Sequence, residues 1–352
     1  SDIQSYFDVT IGALAWVFNA YGISVAVGVV VGGCLGGPFG IKRMFGIGVL
    51  SFASGAALVA CAGTFETLIL GRVLQGFGGG VFSPLVPLLL TRALPLRPGK
   101  ILIIWGSITG YVAAFAPLTV SQVIPFFGWQ SVLVLFVAVS GLAFLLSIEA
   151  IPEDDPNMST RTSPNLMLLA QAPKLWCVFG YIFCTYGVIT FYLFRLPLWL
   201  TDTDYSIKLV GIVLTTIWVS FSIASTLLRN LVDGPHLKSI VLAAPLLIAA
   251  SFLVTLHAGH AGWPLVSAAL IGAGFACSNA PSTQLVLKFS PPGLSVISAS
   301  LDITFARLGG VATVAWLAQS TFSHSVIAVT GLSLGALTCA FIFVEKPCGR
   351  TA

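Results

Sequence analysis

Four charged residues stand inside otherwise apolar stretches of this 352-residue chain: Arg72, Arg195, Asp302 and Arg307. A charge within a bilayer span costs roughly 2.5–3.5 kcal/mol on insertion scales, so it faces a cavity, a partner or the interface. Asp302 is the carboxylate set well within an apolar run, two turns past Pro291-Pro292-Gly293. Desolvation favours the neutral form of a buried acid and a nearby cation favours the ionised form, so such a group can trade a proton as its surroundings change. The competing reading puts Asp302 at a hydrated mouth. Arg307 follows five residues later, about 140° round a helix, which does not stack the two on one face. Arg72, with Gln75 and glycines on the neighbouring turns, is either a functional cation or snorkels toward the edge marked by Glu66. Arg195, a turn before the end of its run, reads as an interfacial anchor beside Trp199 and Asp202. Facing inward instead, it would make three cavity arginines against one aspartate and favour an anionic or zwitterionic solute.

Polar residues also interrupt an apolar run after Gly272 and Gly274: Ser278, Asn279, Ser282, Thr283 and Gln284, with Pro281 among them. Proline frees backbone carbonyls, and discontinuous helices mark solute sites in transporters. Asn279 and Gln284 are therefore candidate solute contacts, together with Gln75, although their spacing does not put all these groups on one face. Tyr186, Tyr192 and Trp218 can supply aromatic walls, or can simply pack or sit in an interfacial belt. His236, His257, His260 and His324 lie in or near loops without ligand spacing, so no metal is expected. The seven cysteines form no CxxC pair and nearly all lie in apolar runs, where they read as packing residues.

The elements that must position these groups follow from composition. Hydrophobic residues make up 57% of the chain and charged ones 8%, where a soluble domain carries roughly 25% charged; mean hydropathy is +1.00. Several runs exceed the ~20 residues needed to cross a bilayer. Breaks at Gly, Pro and charge clusters give about eleven spans, near 12–34, 44–63, 67–91, 101–124, 130–150, 175–200, 208–229, 237–257, 263–287, 295–319 and 324–345. The polar stretch 151–174 links a front bundle of five spans (1–150) to a back bundle of six (175–352). The fold class is thus an all-α membrane protein of two bundles.

Lys42, Arg43, Arg92, Arg97, Lys100, Arg161, Lys174, Arg229, Lys238, Lys288, Lys346 and Arg350 fall in alternate gaps, and Lys208 is the exception. By the positive-inside rule these gaps are cytoplasmic, with the N-terminus outside and the C-terminus inside. There is no basic stripe with interleaved aromatics, so nucleic acid is not an expected partner. There is no Gly-x-x-x-x-Gly-Lys-Ser/Thr loop, so ATP-driven pumping within this chain is disfavoured, and no cofactor is expected. The expected partners are a small-molecule substrate, protons and the lipid bilayer, in the cell membrane, with the chain as a monomer.

Gly33-x-Leu35-x-x-x-x-Gly40-Ile41-Lys42-Arg43, between the first two spans, resembles the loop signature of the major facilitator superfamily. Leu68-x-x-x-Arg72-x-x-Gln75-Gly76-x-Gly78 resembles the fourth-helix motif of that superfamily, and Pro117 sits where its drug:proton antiporter branch has a Gly-Pro motif. Phe127-Gly128-Trp129, Leu196-Pro197-Leu198-Trp199-Leu200 and Arg307-Leu308-Gly309-Gly310 extend the likeness along the chain. The resemblance implies a twelve-helix fold, here lacking the first helix, with Ser1–Thr10 as an external loop. It also implies proton coupling through Arg72 and a gate built on the Gly33–Arg43 loop, while Gly76 and Gly78 read as small residues that let helices approach closely. Two departures stand out: the loop aspartate of the family falls on Gly37, and its following basic residue on Pro38. The matching loop of the back half keeps an acid, Asp233, as the expected gate carboxylate. The reading is proton-coupled efflux of small amphipathic molecules by alternating access, with Asp302 and Arg307 joining Arg72 in coupling. The alternatives are proton-linked uptake of an organic anion, from the arginine excess, and an inactive truncated protein, from the missing helix and lost loop acid.

Overall fold

The computed structural model describes residues 2–36, 39–86, 89, 112–116, 119–120, 122–151, 167–203, 205–228, 231, 236–256, 262–292, 294–320 and 322–344. Among the described residues no strand occurs. The helices are α1 (Asp2–Phe7), α2 (Ile11–Leu35), α3 (Ile41–Ala60), α4 (Phe65–Phe82), α5 (Gln130–Ala150) and α6 (Met167–Ala170), followed by α7 (Pro173–Asp202), α8 (Ile207–Leu228), α9 (Leu237–Leu256), α10 (Gly262–Phe289), α11 (Ser295–Leu317) and α12 (Phe322–Val344). The long ones run from 18 to 30 residues, about 27–45 Å at 1.5 Å per residue. Among the described residues, eight helices are long and apolar enough to cross a membrane. The two long helices outside that group, α4 and α11, are the ones carrying Arg72 and the Asp302/Arg307 pair. The span expected near 101–124 lies largely outside the described residues, with helix at 112–116, 119–120 and 122–127.

Ser1–Thr10 is not the plain external loop expected from sequence, because α1 occupies most of it. Polar spacing hid the reason: Tyr6 and Phe7 pack edge-on with Trp129 and Phe65, with Tyr6 and Trp129 ring centres 5.8 Å apart. The Thr10 hydroxyl then caps α2, accepting from the Ala13 N–H at 3.2 Å.

Helix contacts are set by glycine. A Cβ on Gly76 would come within 3.0 Å of Tyr21 Cα, and one on Gly80 within 2.9 Å of Gly28 Cα, so this face of α4 lies directly on α2. Its other face lies on α3, where a Cβ on Gly78 would come within 2.9 Å of Phe52 Cα. The α2 helix in turn runs antiparallel to α11. A Cβ at Gly12 would meet Gln319 Nε2 at 2.6 Å, one at Gly22 would meet Val311 Cγ2 at 2.7 Å, and one at Gly33 would meet Ser300 Oγ at 2.8 Å. The opposite face of α11 packs on α7, with Gly309 against the backbone of Phe183, and Gly310 beside it meets Thr190. Helix α7 also touches α9, α10 and α12.

The buried apolar residues form one large cluster at the end of the bundle where α2 begins, including Leu14, Val59, Leu68, Trp129, Phe191, Phe252 and Val314. It draws on helices before and after residues 151–174. At the opposite end the core divides in two, one cluster around Phe179, Val241 and Phe343 and another around Ile41, Met44 and Val81.

Overpacking a well-filled contact costs about 1–3 kcal/mol, and at Gly80 the obstacle is backbone rather than a movable side chain. Gly80→Leu should lower unfolding free energy by about 3 kcal/mol in a denaturant titration of the purified protein. Gly141→Leu, where nothing lies within 4 Å, should change it little. Equal losses in the two variants would remove the α2–α4 contact from this account.

Candidate functional site

Asp302 lies on α11 with 7% of its surface exposed, so it is not the hydrated mouth residue that the sequence left open. Its Oδ2 accepts a hydrogen bond from Thr283 Oγ1 of α10 at 2.8 Å. One turn earlier on α10, Asn279 Oδ1 accepts from the Tyr186 hydroxyl of α7 at 2.6 Å. The Thr185 and Ser278 hydroxyls join the same two helices at 3.0 Å. Three helices therefore converge through short polar links, next to Pro281, which removes a backbone donor from the interior of α10. Asn279 and Thr283 are four residues apart and so share a helix face; Gln284 is half-buried and turned about 100° further round.

Tyr186 also begins an aromatic row. Its ring centre is 5.4 Å from that of Phe275, edge to face, and Phe275 meets Trp218 at 5.9 Å and Phe221 at 4.7 Å. Tyr186 and Trp218, both singled out from sequence, are thus brought together through Phe275. Sequence reasoning missed Phe275, though its place four residues before Asn279 put it on the same face of α10.

The front half treats its cation differently. Arg72 does not snorkel. Its Nε donates to the Val17 carbonyl of α2 at 3.0 Å, and its Nη1 donates to Gln75 Oε1 at 2.5 Å. Its guanidinium also lies 4.2 Å from the centre of the Tyr21 ring, a cation–π contact. Gln75, 1% exposed, is engaged by Arg72 rather than presented to an open space. Nothing in the sequence linked Tyr21 to Arg72, since contacts between distant helices leave no local pattern.

Arg195 is 8% exposed and its Nε and Nη1 have no hydrogen-bond partner among the described residues. Such burial does not fit the interfacial anchor of the sequence reading. Nor does Arg195 join the Tyr186 group: nine residues separate them, half a turn round α7. Arg307 is exposed and its backbone shares with Val311 the side of α11 that runs along α2, yet its charge, like that of Asp302, acts on the Tyr186 hydroxyl.

The loop residues have plain structural duties. Gly40 has φ 91°, left-handed backbone that glycine accepts most readily, at the start of α3. Lys42 Nζ donates to the Ile148 carbonyl at 2.8 Å, a cation on the C-terminal carbonyls of α5 where the helix dipole favours it. Arg43 is exposed, and Gly33 and Gly76 bring α2 against α11 and α4 as described. Pro117 and Asp233, together with Gly37 and Pro38, lie outside the described residues.

Residues 1–314 match the Major Facilitator Superfamily sequence profile. The chain is 31% identical over 148 residues to the tetracenomycin C resistance and export protein of Streptomyces glaucescens, covering 41% of this chain and 27% of that one. It is 30% identical over 175 residues to the multidrug resistance protein B homolog of Mycobacterium tuberculosis, covering 49% of this chain and 32% of that one. The matches thus span well under half the length of these curated relatives. Among solved structures, a D-xylose–proton symporter superposes with a TM-score of 0.74 at 16% identity, over 95% of this chain and 87% of that one. A nucleoside transporter superposes at 0.78 and 15%, over 98% and 94%. At such identity the likeness speaks for the fold alone. Sequence profile and fold agree that the chain belongs to the Major Facilitator Superfamily of membrane transport proteins.

Proposed function

We propose that this chain carries out proton-coupled efflux of small amphipathic molecules, alternating access between two halves, residues 1–150 and 175–352, joined through 151–174. The observation that carries the proposal is the buried Asp302–Thr283 pair one helical turn from the Tyr186–Asn279 pair. An arginine does not give up its proton in a protein. Of the three coupling candidates, Arg72, Asp302 and Arg307, the aspartate is therefore the proton carrier and the arginines are fixed positive charges. Arg72, tied to α2, holds the front half in shape; Arg307 faces α2 across from it. The aromatic row Tyr186–Phe275–Trp218 suits a flat apolar substrate body, and Asn279 suits its polar group. Export rather than uptake rests on the relatives, whose names include resistance and export.

Alternating access needs two halves that part at one end while they meet at the other. A core shared by both halves at the α2-start end and divided at the opposite end supports that reading. With the cation-rich loops cytoplasmic, the shared end is external, the C-terminus is cytoplasmic, and a single chain is the working unit. Uptake of an organic anion loses one of its three arginines, since Arg195 points away from the Tyr186 group.

In proteoliposomes with an imposed pH gradient, Asp302→Asn should cut gradient-driven drug movement at least tenfold while drug binding persists. Wild-type rates in that variant would sink the coupling role. Phe275→Ala should weaken binding of aromatic drugs roughly tenfold, about 1.4 kcal/mol, read by tryptophan quenching or equilibrium dialysis; unchanged affinity would move the substrate elsewhere. Orientation is checked with impermeant maleimide on intact cells, using the exposed thiols of Cys61 and Cys34. Cys61 should react directly and Cys34 only after permeabilisation; the reverse order would invert the chain.

A further inference from the structure

A cavity of about 410 Å³ lies between the first turns of α2 and the last turns of α11, lined by Gly12, Trp16, Asn19, Ala315, Ala318 and Gln319, among others. Its size falls in the range of small-molecule sites, roughly 300–1,000 Å³. It owes its room to small residues: Ala315 and Ala318 form one wall, and at Gly12 a Cβ would collide with the Gln319 carboxamide. The informative member is Asn19. It is 2% exposed, and its Oδ1 has no hydrogen-bond partner among the described residues. A buried amide oxygen left unmet is unfavourable, and Asn19 is among the residues that line this cavity.

We propose that this cavity binds a neutral, hydroxyl-bearing amphiphile across the seam between α2 and α11. The hydroxyl donates to Asn19 Oδ1, and Gln319, in the turn that follows α11, supplies a second polar contact at the mouth. Trp16, 53% exposed, covers the apolar portion. Among the described residues no charged side chain lines the cavity, so an ammonium or carboxylate would lose its hydration without gaining a counter-charge. The hydroxyl is the fitting head because it both donates and accepts, matching two carboxamides. The site is separate from the Asp302 cluster: Asn19 is in the front half, Ala315 lies more than three turns along α11 from Asp302, and Gln319 lies beyond the end of that helix. Such a ligand bridges the two halves at the end where they share a core. On the alternating-access reading it holds that end shut and slows transport, but its binding does not depend on that reading.

The test is photolabelling of the intact protein in nanodiscs with a diazirine-bearing octanol, with labelled residues located by mass spectrometry. Saturable labelling within residues 12–19 and 315–319 is expected, competed by octanol but not by octane or octylammonium. Labelling there should fall at least fivefold in Asn19→Leu, which removes the amide, and in Ala315→Leu, which fills the cavity from α11 while leaving Asn19 intact. Should Asn19→Leu not fold, Ala315→Leu alone decides. Equal labelling in the folded variants, or equal competition by octane, would mean mere partition into lipid and overturn the site. Solvent extracts of wild type and Ala315→Leu separate the two sources of the hydroxyl. A monoacylglycerol retained by wild type alone identifies a lipid, and saturable labelling without one identifies a free alcohol; either outcome supports the site.

Discussion

The hydrocarbon interior of a bilayer offers no hydrogen-bond partner, and the rest of this structure follows from that deficiency. Backbone groups must be satisfied within each span, which leaves helices as the available element for such a chain. Hydroxyls obey the same demand by bonding back to their own helix. Thr216 donates to the Ile212 carbonyl, Ser222 to Trp218, Thr226 to Ser222, Thr330 to Val326 and Thr338 to Leu334. Against this background of self-contained polar groups, those that reach another helix stand out. Arg72 reaches Val17, Thr283 reaches Asp302, Tyr186 reaches Asn279, and Tyr181 reaches the Val241 carbonyl at 3.0 Å.

A second consequence is that apolar side chains gain little by moving from lipid to a neighbouring helix, so close backbone approach has to hold the helices together. Helix α4 shows this most directly, with Gly76 and Gly80 on α2 and Gly71 and Gly78 on α3. The contrast with α5 is instructive. Its apolar side chains Leu135, Leu142 and Leu145 are 58–63% exposed, as befits a lipid-facing helix held mainly by its contact with α3 and by the Lys42–Ile148 link at its end.

Much of this was readable in the sequence because the signals are local. Long apolar runs broken by Gly, Pro and charge placed most of the described long helices within a few residues, although α4 ends at Phe82, well short of the expected 91, and the Leu68–Gly78 motif pointed to the family. Gly76 and Gly78 were legible as packing residues because glycine in an apolar run has few other uses. What the sequence did not yield was facing. Arg195 looked like an anchor because it lies near a span end, but that end of α7 is covered by neighbouring helices. Gln75 looked like a solute contact because it is polar and intramembrane, whereas its oxygen is held by an arginine one turn earlier. Tyr21, Asn19 and Phe275 read as ordinary members of apolar runs, and their meaning depends on partners from other helices. Pairings of that kind, such as Tyr186 with Asn279 or Arg72 with Val17, are products of tertiary packing and carry no periodicity of their own.

Helix α11 is where these strands meet. Asp302 and Gly309, seven residues apart, share a face that meets Thr283 of α10 and Phe183 of α7, Gly310 lies to one side of it against Thr190 of α7, and the stripe of Ser300, Arg307 and Val311 runs along α2. A helix so placed cannot shift against α10 or α7 without also changing its fit to α2, because its glycine contacts leave no slack in which to absorb movement. If Asp302 is the proton carrier, as proposed, loss or gain of its proton alters the Thr283 link and therefore the position of α11. The seam between the halves feels that change directly, through side chains on the same helix rather than through a relay. Arg72, by contrast, is fixed by three contacts within the front half and has no comparable freedom. Coupling between proton and movement is then a property of one helix whose Asp302–Gly309 face meets α10 and α7 while its other side meets α2, and the front half serves as the surface it moves against.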